Sequence, residues 1–248
     1  MPAHTGDSGM VRGTTSADIR PDLDSIVLTL HTPPDGAASA ENRDDGAMPS
    51  RSDHAAERPR FTRAELSAFT GGTLPDLLPD PTLLLFAGIN PGLLSVAVQA
   101  HFAPRGNRFF PALAAAGIVD RRIDASAGML PADEEHLRSR GVGITSIVRG
   151  ATSRASELTA AQLRAGGADL RERVAGIRPR VVALLGITAY RTAFDAPHAL
   201  VGRQPGDWDG AEVWVVPNPS GLNRHHTTAD LAQAYREVAL RAGIRPPA

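Results

Sequence analysis

The chain has 248 residues, room for one large domain or one domain with a tail, and 42% of them are hydrophobic, enough to build a core. No apolar run approaches the ~20 residues that a membrane helix needs, and Met1 to Met10 shows no basic stretch leading into an apolar one, so neither a membrane span nor a secretory leader is expected and the cytoplasm is the default location. Cysteine is absent, which excludes disulfides, thiolate zinc sites, Cys-ligated iron–sulfur clusters and cysteine nucleophiles.

The net charge of −1 is unevenly spread: residues 1–80 carry 7 Arg against 13 acidic residues, and residues 81–248 carry 19 Arg against 14. A basic remainder suits a polyanionic partner. Every basic residue is Arg, whose fork fits phosphate, although a GC-rich coding sequence produces the same bias.

Residues 1–60 are rich in Ala, Asp, Gly, Pro, Ser, Thr and Arg and poor in aromatics, the composition of a disordered tail. Ile26 to Leu30 is an isolated apolar patch there, and Met10 and Met48 leave room for a later start. Residues 61–80 read as a lead-in, a short helical stretch followed by Gly71-Gly72 and a Pro-rich turn. From residue 81 the character changes. Thr82–Ile89 is a continuous apolar run, the mark of a strand buried on both faces. Arg108–Gly117 reads as a helix closed by Gly117, Gly141–Val148 as a strand, and Leu158–Ile177 as a helix capped by Thr159. Arg180–Leu185 is another buried strand, Thr188–Phe194 a short helix, Glu212–Val216 a strand and Thr228–Ala242 an amphipathic helix. Strands alternating with helices predict an α/β fold over 81–248, a three-layer α/β/α sandwich on a mostly parallel sheet. Ligands of such sheets bind beyond the carboxyl ends of the strands. The turns at Asn90 and Asn218 fall there.

The first strand runs into Gly88-Ile89-Asn90-Pro91-Gly92-Leu93. A turn of this kind offers backbone N–H groups and one short amide at the sheet edge. An Asn can hold a water but has no basicity with which to deprotonate it. Taken alone, Asn-Pro-Gly is more often a plain turn, Phe102 a core aromatic and Ser95 a turn or cap residue.

The longer pattern of Gly88 to Leu93, Phe102 twelve positions beyond Asn90, and Asn107-Arg108-Phe109 resembles the first motif of the mismatch-specific uracil/thymine DNA glycosylases. The resemblance implies that Asn90 places the water attacking the sugar C1′. It also implies that Phe102 stacks on a flipped base, that turn amides around Ile89 and Gly92 bind the uracil edge, and that Ser95 lines the pocket. Pro217 to Arg224 (P-N-P-S-G-L-N-R) resembles the family's second motif. It implies Leu222 as a wedge filling the vacated stack, Gly221 and Asn223 against the widowed guanine, and Asn218 at the base. Ser146 takes a pocket-wall position. Arg224 is either a phosphate contact or a solvated surface residue. His225 and His226 have no carboxylate at ligand spacing, and no metal or cofactor is expected.

The likeness runs from Leu83 to Ala242 and makes 81–248 the catalytic domain. It departs at Arg149-Gly150, where relatives carry an acid then Arg, at Phe110 for Trp, at Asn223 for Ser, and at the short Ser146. The activity implied is hydrolysis of the N-glycosidic bond of uracil in double-stranded DNA, preferably opposite guanine, by a monomer in cytoplasmic (nucleoid) base excision repair. No carboxylate stands in the first motif, so slow chemistry on good leaving groups is expected. Two other readings stay open: a mismatch-binding module without turnover, and a nucleoside hydrolase sharing the sheet, although neither G-x-x-x-x-G-K nor G-x-G-x-x-G follows a strand.

Overall fold

The computed structural model describes residues 60–246, so the tail expected over 1–60 lies, apart from Arg60, outside the described residues. Five strands form one sheet in the order β2-β1-β3-β5-β4: β1 Leu84–Gly88, β2 Val142–Ser146, β3 Val181–Leu185, β4 Gly202–Trp208 and β5 Ala211–Val216. The pairs β1·β2, β1·β3 and β3·β5 are parallel, and β4 runs antiparallel to β5 at one edge. Thr82–Ile89, Gly141–Val148 and Arg180–Leu185 become parallel strands trimmed by one or two residues at an end, and Glu212–Val216 becomes the fourth, extended by one residue to Ala211.

Alternation decides which side chain goes to which layer. Leu84, Phe86, Ile144, Ala183 and Trp214 face one core with α3 (Phe109–Ala115) and α7 (Thr228–Ala242). Leu85, Ala87, Val182, Leu184 and Val213 face the other, with α5 (Ala160–Ile177) and α6 (Ile187–Ala193). β1 and β3 are buried along their whole length because helices cover both faces. Phe86 packs edge-on against Phe109 with ring centroids 5.2 Å apart and against Tyr235 at 5.2 Å. Each such fully buried ring contributes roughly 1.5–3 kcal/mol of burial.

Local chemistry sets the helix ends. Thr159 caps α5 through a reciprocal box with Gln162, and Thr227 does the same for α7 with Asp230. The lead-in holds a single short helix, α1 (Arg63–Ser67), boxed by Thr62 and Glu65. Further along it, Leu77 bridges antiparallel to Ile144, its N–H donating to the Ile144 carbonyl at 2.9 Å and its carbonyl accepting from the Ile144 N–H at 2.8 Å. The outer edge of β2 is thereby covered.

Three elements are absent from the reading of the sequence. α2 (Leu93–Ala97) follows the Asn90 turn directly, and α4 (Pro131–Ser139) precedes β2. β4 carries Pro205 and a register irregularity between Arg203 and Asp207, both tolerated at an edge. In this order β1 leads outward to β2 and β3 returns on its other side, which places a crevice at the carboxyl ends of β1 and β3.

Candidate active site

A cavity of about 340 Å³ opens at that crevice, walled by the ends of β1, β2 and β3 and by loops that include the one leaving β5. Ile89, Asn90, Gly92, Ser95, Phe102 and Ser146 line it, with Asn218 and Leu222 from the far loop. Two segments more than a hundred residues apart thus meet, and the strand register shows how. Gly88 pairs with Ser146, and β3 ends at Leu185 alongside the Val216 that leads into Pro217.

Asn90 is tethered by its amide nitrogen. Nδ2 donates to the Gly150 carbonyl at 3.1 Å and to Thr152 Oγ1 at 2.8 Å. A carbonyl can only accept, so the amide cannot be the other way round. Oδ1 accepts from no described residue and is the free end of a pocket-lining side chain. Thr152 Oγ1 in turn donates to the Arg154 carbonyl at 2.9 Å, which fixes the direction of the chain of bonds.

Phe102 adopts φ 56°, a left-handed conformation that costs a bulky residue about 1–2 kcal/mol. Its ring stacks on Phe109 with centroids 4.0 Å apart and planes inclined 27°. A Cβ at Gly88 would lie 3.5 Å from the ring, so the strand end closes on the aromatic where there is no side chain. Ser95 is buried in α2 and not in a turn. Ser146 ends β2, and its carbonyl accepts from Arg173 Nη2 at 2.8 Å. Behind it Thr145 Oγ1 donates to Asp76 at 2.8 Å and accepts from Arg173, while Arg149 lies 3.6 Å from the same carboxylate. The departure at Arg149 therefore faces an acid from the lead-in, away from the cavity lining.

The second motif loops over the mouth. Asn218 Oδ1 accepts from the Ser220 N–H at 2.9 Å, and Leu222 is 83% exposed, far more than a half-buried loop leucine. Gly221 and Arg224 are exposed and Asn223 half-buried. A Cβ on Gly221 would stand 2.8 Å from the Gly106 carbonyl, so close packing of the two loops itself demands glycine there.

His101, Thr152 and the rim Ser153 to Ser156 also line the cavity, and sequence reasoning missed them. His101 is buried next to Phe102 with Nε2 2.9 Å from the Pro75 carbonyl. Burial pushes its imidazole below the ordinary 6.5, against the opposing pull of that carbonyl and of Asp76. The ring is neutral near neutral pH, with Nε2–H donating. No Asp or Glu is among the described residues lining the cavity. It offers amides, hydroxyls, a neutral imidazole and an aromatic face.

The family model of the uracil DNA glycosylase superfamily matches residues 75–241, two-thirds of the chain. The chain belongs to that superfamily. Among solved structures, the solution NMR structure of a candidate uracil DNA glycosylase from Methanosarcina acetivorans is similar over 68% of this chain and 98% of that one, at 17% identity and a TM-score of 0.46. Membership supports a glycosidic hydrolase of DNA repair acting on uracil. The superfamily match ends at residue 241, within α7, and begins at residue 75, just ahead of the Leu77 bridge to β2. No described helix is long and apolar enough to cross a membrane.

Proposed function

We propose that the chain is a monofunctional glycosylase that hydrolyses the N-glycosidic bond of uracil in double-stranded DNA, with guanine-mispaired uracil preferred to uracil paired with adenine. It would act as a monomer on nucleoid DNA in base excision repair. The observation that carries this reading is the tethered Asn90, whose Nδ2 is spent on Gly150 and Thr152 and whose Oδ1 is free in the cavity. Such an amide accepts a hydrogen bond from a water and holds it below C1′, while Phe102 supports the flipped base from the other side. Turn amides around Ile89 and Gly92 stabilise charge on the departing uracil. Leu222 fills the stack that the base has left, and opening is cheapest at a mispair.

With no carboxylate among the described lining residues and His101 weakened as a base by burial, the cavity offers the water no strong base, so its proton passes to the departing uracil anion or to solvent only after the bond has broken. The glycosidic bond then leads, with oxocarbenium character at C1′, and rate follows leaving-group quality. Uracil and 5-halouracils are expected to leave faster than thymine, whose methyl must also pass Ser95 and Ser146. The test is excision from labelled U·G, U·A, T·G and C·G duplexes without added metal. Asn90→Ala is expected to lower the U·G rate by about a hundredfold or more. Wild-type rates in that variant would remove Asn90 from the reaction, and tight U·G binding without base release in the wild type would favour the mismatch-binding module.

A further inference from the structure

The loop that carries Leu222 is held from outside itself. Arg108, the residue before α3, donates from Nη2 to the Ser220 carbonyl at 3.0 Å and to the Asn223 carbonyl at 2.7 Å, and from Nη1 to the His226 carbonyl. Its backbone N–H donates to the Pro219 carbonyl at 2.9 Å. Tyr235 of α7 reaches the Pro217 carbonyl at 3.2 Å, and Gly221 sits against the Gly106 backbone. One guanidinium therefore gathers three carbonyls from both sides of Leu222, and the leucine is pushed out to solvent between them.

Asn223 is consumed by the same framework. Its Nδ2 donates to the Asn218 carbonyl at 2.8 Å and lies 3.4 Å from His226 Nδ1. Its Oδ1 accepts from the His225 N–H at 3.1 Å, and its own N–H donates to the Ser220 carbonyl at 2.9 Å. Its carbonyl is held by Arg108. Both ends of the side-chain amide and the backbone N–H are thus engaged within the loop, and the carbonyl by Arg108 from outside it. To read a base, Asn223 would have to give up bonds that shape the turn.

We propose that Arg108 and Asn223 are positioning residues that preset Leu222 as a rigid wedge, and that the opposite base is selected by how easily its pair with uracil opens and not by recognition of guanine through Asn223. The inference rests on the glycosylase reading and on Leu222 as the wedge. A loop already in its working shape loses little freedom on meeting DNA, which favours the flipped state. Selection by opening ranks substrates by pair strength: U·C and U·T at least as fast as U·G, and U·A slower.

Single-turnover excision on U·G, U·C, U·T and U·A duplexes and on single-stranded uracil tests this, with Arg108→Ala, Asn223→Ala and Leu222→Ala beside the wild type. Arg108→Ala is expected to lose about tenfold or more on duplexes and no more than about threefold on the single strand, matching Leu222→Ala, a split that a general folding defect would not give. A duplex-to-single-strand ratio left as in the wild type would overturn the clamp. Excision of U·G about tenfold faster than U·C and U·T would overturn selection by opening, whether or not Asn223→Ala abolished it. The second arm needs no activity: tryptic cleavage after Arg224, read by fragment mass, is expected to quicken about tenfold in Arg108→Ala as the loop loosens. An unchanged cleavage rate would count against the clamp. If no substrate were cleaved at all, the glycosylase reading would fail while the proteolysis arm still decided the clamp.

Discussion

His101 stands where the cavity meets the back of the domain, and its burial ties stability to pH. In the unfolded chain an imidazole takes up a proton near its ordinary 6.5, whereas in the folded chain burial holds the value lower. Between those two values the unfolded state binds more protons, so stability rises with pH through that window and levels off above it. Denaturant midpoints measured from about pH 8 to about pH 5 should fall more steeply for the wild type than for His101→Gln, whose amide N–H can still reach the Pro75 carbonyl. Equal slopes would mean that His101 protonates in the fold as freely as in the coil. Nothing in the sequence singled out His101, because a lone histidine beside an aromatic has no spacing to recognise. Thr152, and the bracing role of Arg108 within its motif, escaped for a related reason. Their partners, Asn90 and the Ser220, Asn223 and His226 carbonyls, lie 62 and 112 to 118 positions away, and only the closed sheet brings them together. Asn90, Phe102 and Leu222 were legible as residues around one cavity because each belongs to a short motif whose spacing survives without the fold.

At the scale of elements, the glycines of α5 show what packing demands. A Cβ at Gly166 would stand 2.5 Å from the Ile147 carbonyl, and one at Gly167 2.6 Å from the Ala193 carbonyl, both backbone atoms that cannot swing aside. At Gly176 nothing lies within 4 Å. Gly166→Ala is therefore expected to destabilise by roughly 1–3 kcal/mol, since the overpacking exceeds the helix preference gained. Gly176→Ala should stabilise by up to about 1 kcal/mol. Urea unfolding of the two variants checks the pair, and matching signs would show that α5 does not rest on the Ile147 carbonyl at Gly166 as described. β1 and β3 were legible because double burial leaves unbroken apolar runs. β4 was not, since Pro205 and Gly206 interrupt its pattern. Its signal lay instead in Asp209-Gly210, both at positive φ and joining β4 to β5 as a tight hairpin. α4 left a signal that the sequence reading passed over, with Pro131 at its first turn, Asp133 and Glu134 next, and His136 and Arg138 in its last turn. α2 is only five residues long and follows from the Asn90 turn more than from any period of its own.

For the molecule as a whole, a net charge of −1 gives no general pull toward DNA, so attraction has to come from where the arginines stand. Arg154 lines the cavity mouth, and Arg105 and Arg224 are exposed on the two loops beside it. Most other arginines in the basic part of the chain brace carbonyls or pair with acids, as Arg108, Arg173 and Arg241 do. If Arg154 meets a phosphate, Arg154→Ala should lower the slope of log affinity against log salt by about 1 on any duplex, with or without uracil. An unchanged slope would place the phosphates elsewhere. Pro75 to Leu77 joins this scale to the smallest. Pro75 holds His101, Asp76 holds Thr145 and the arginine behind Ser146, and Leu77 closes the β2 edge. Three consecutive residues carry three unrelated duties in what looks from outside like connecting chain. Loops ordinarily absorb changes of length best, yet one residue added or removed here would displace the cavity's imidazole, its serine wall and the sheet border together, which makes this stretch among the least able to vary in length.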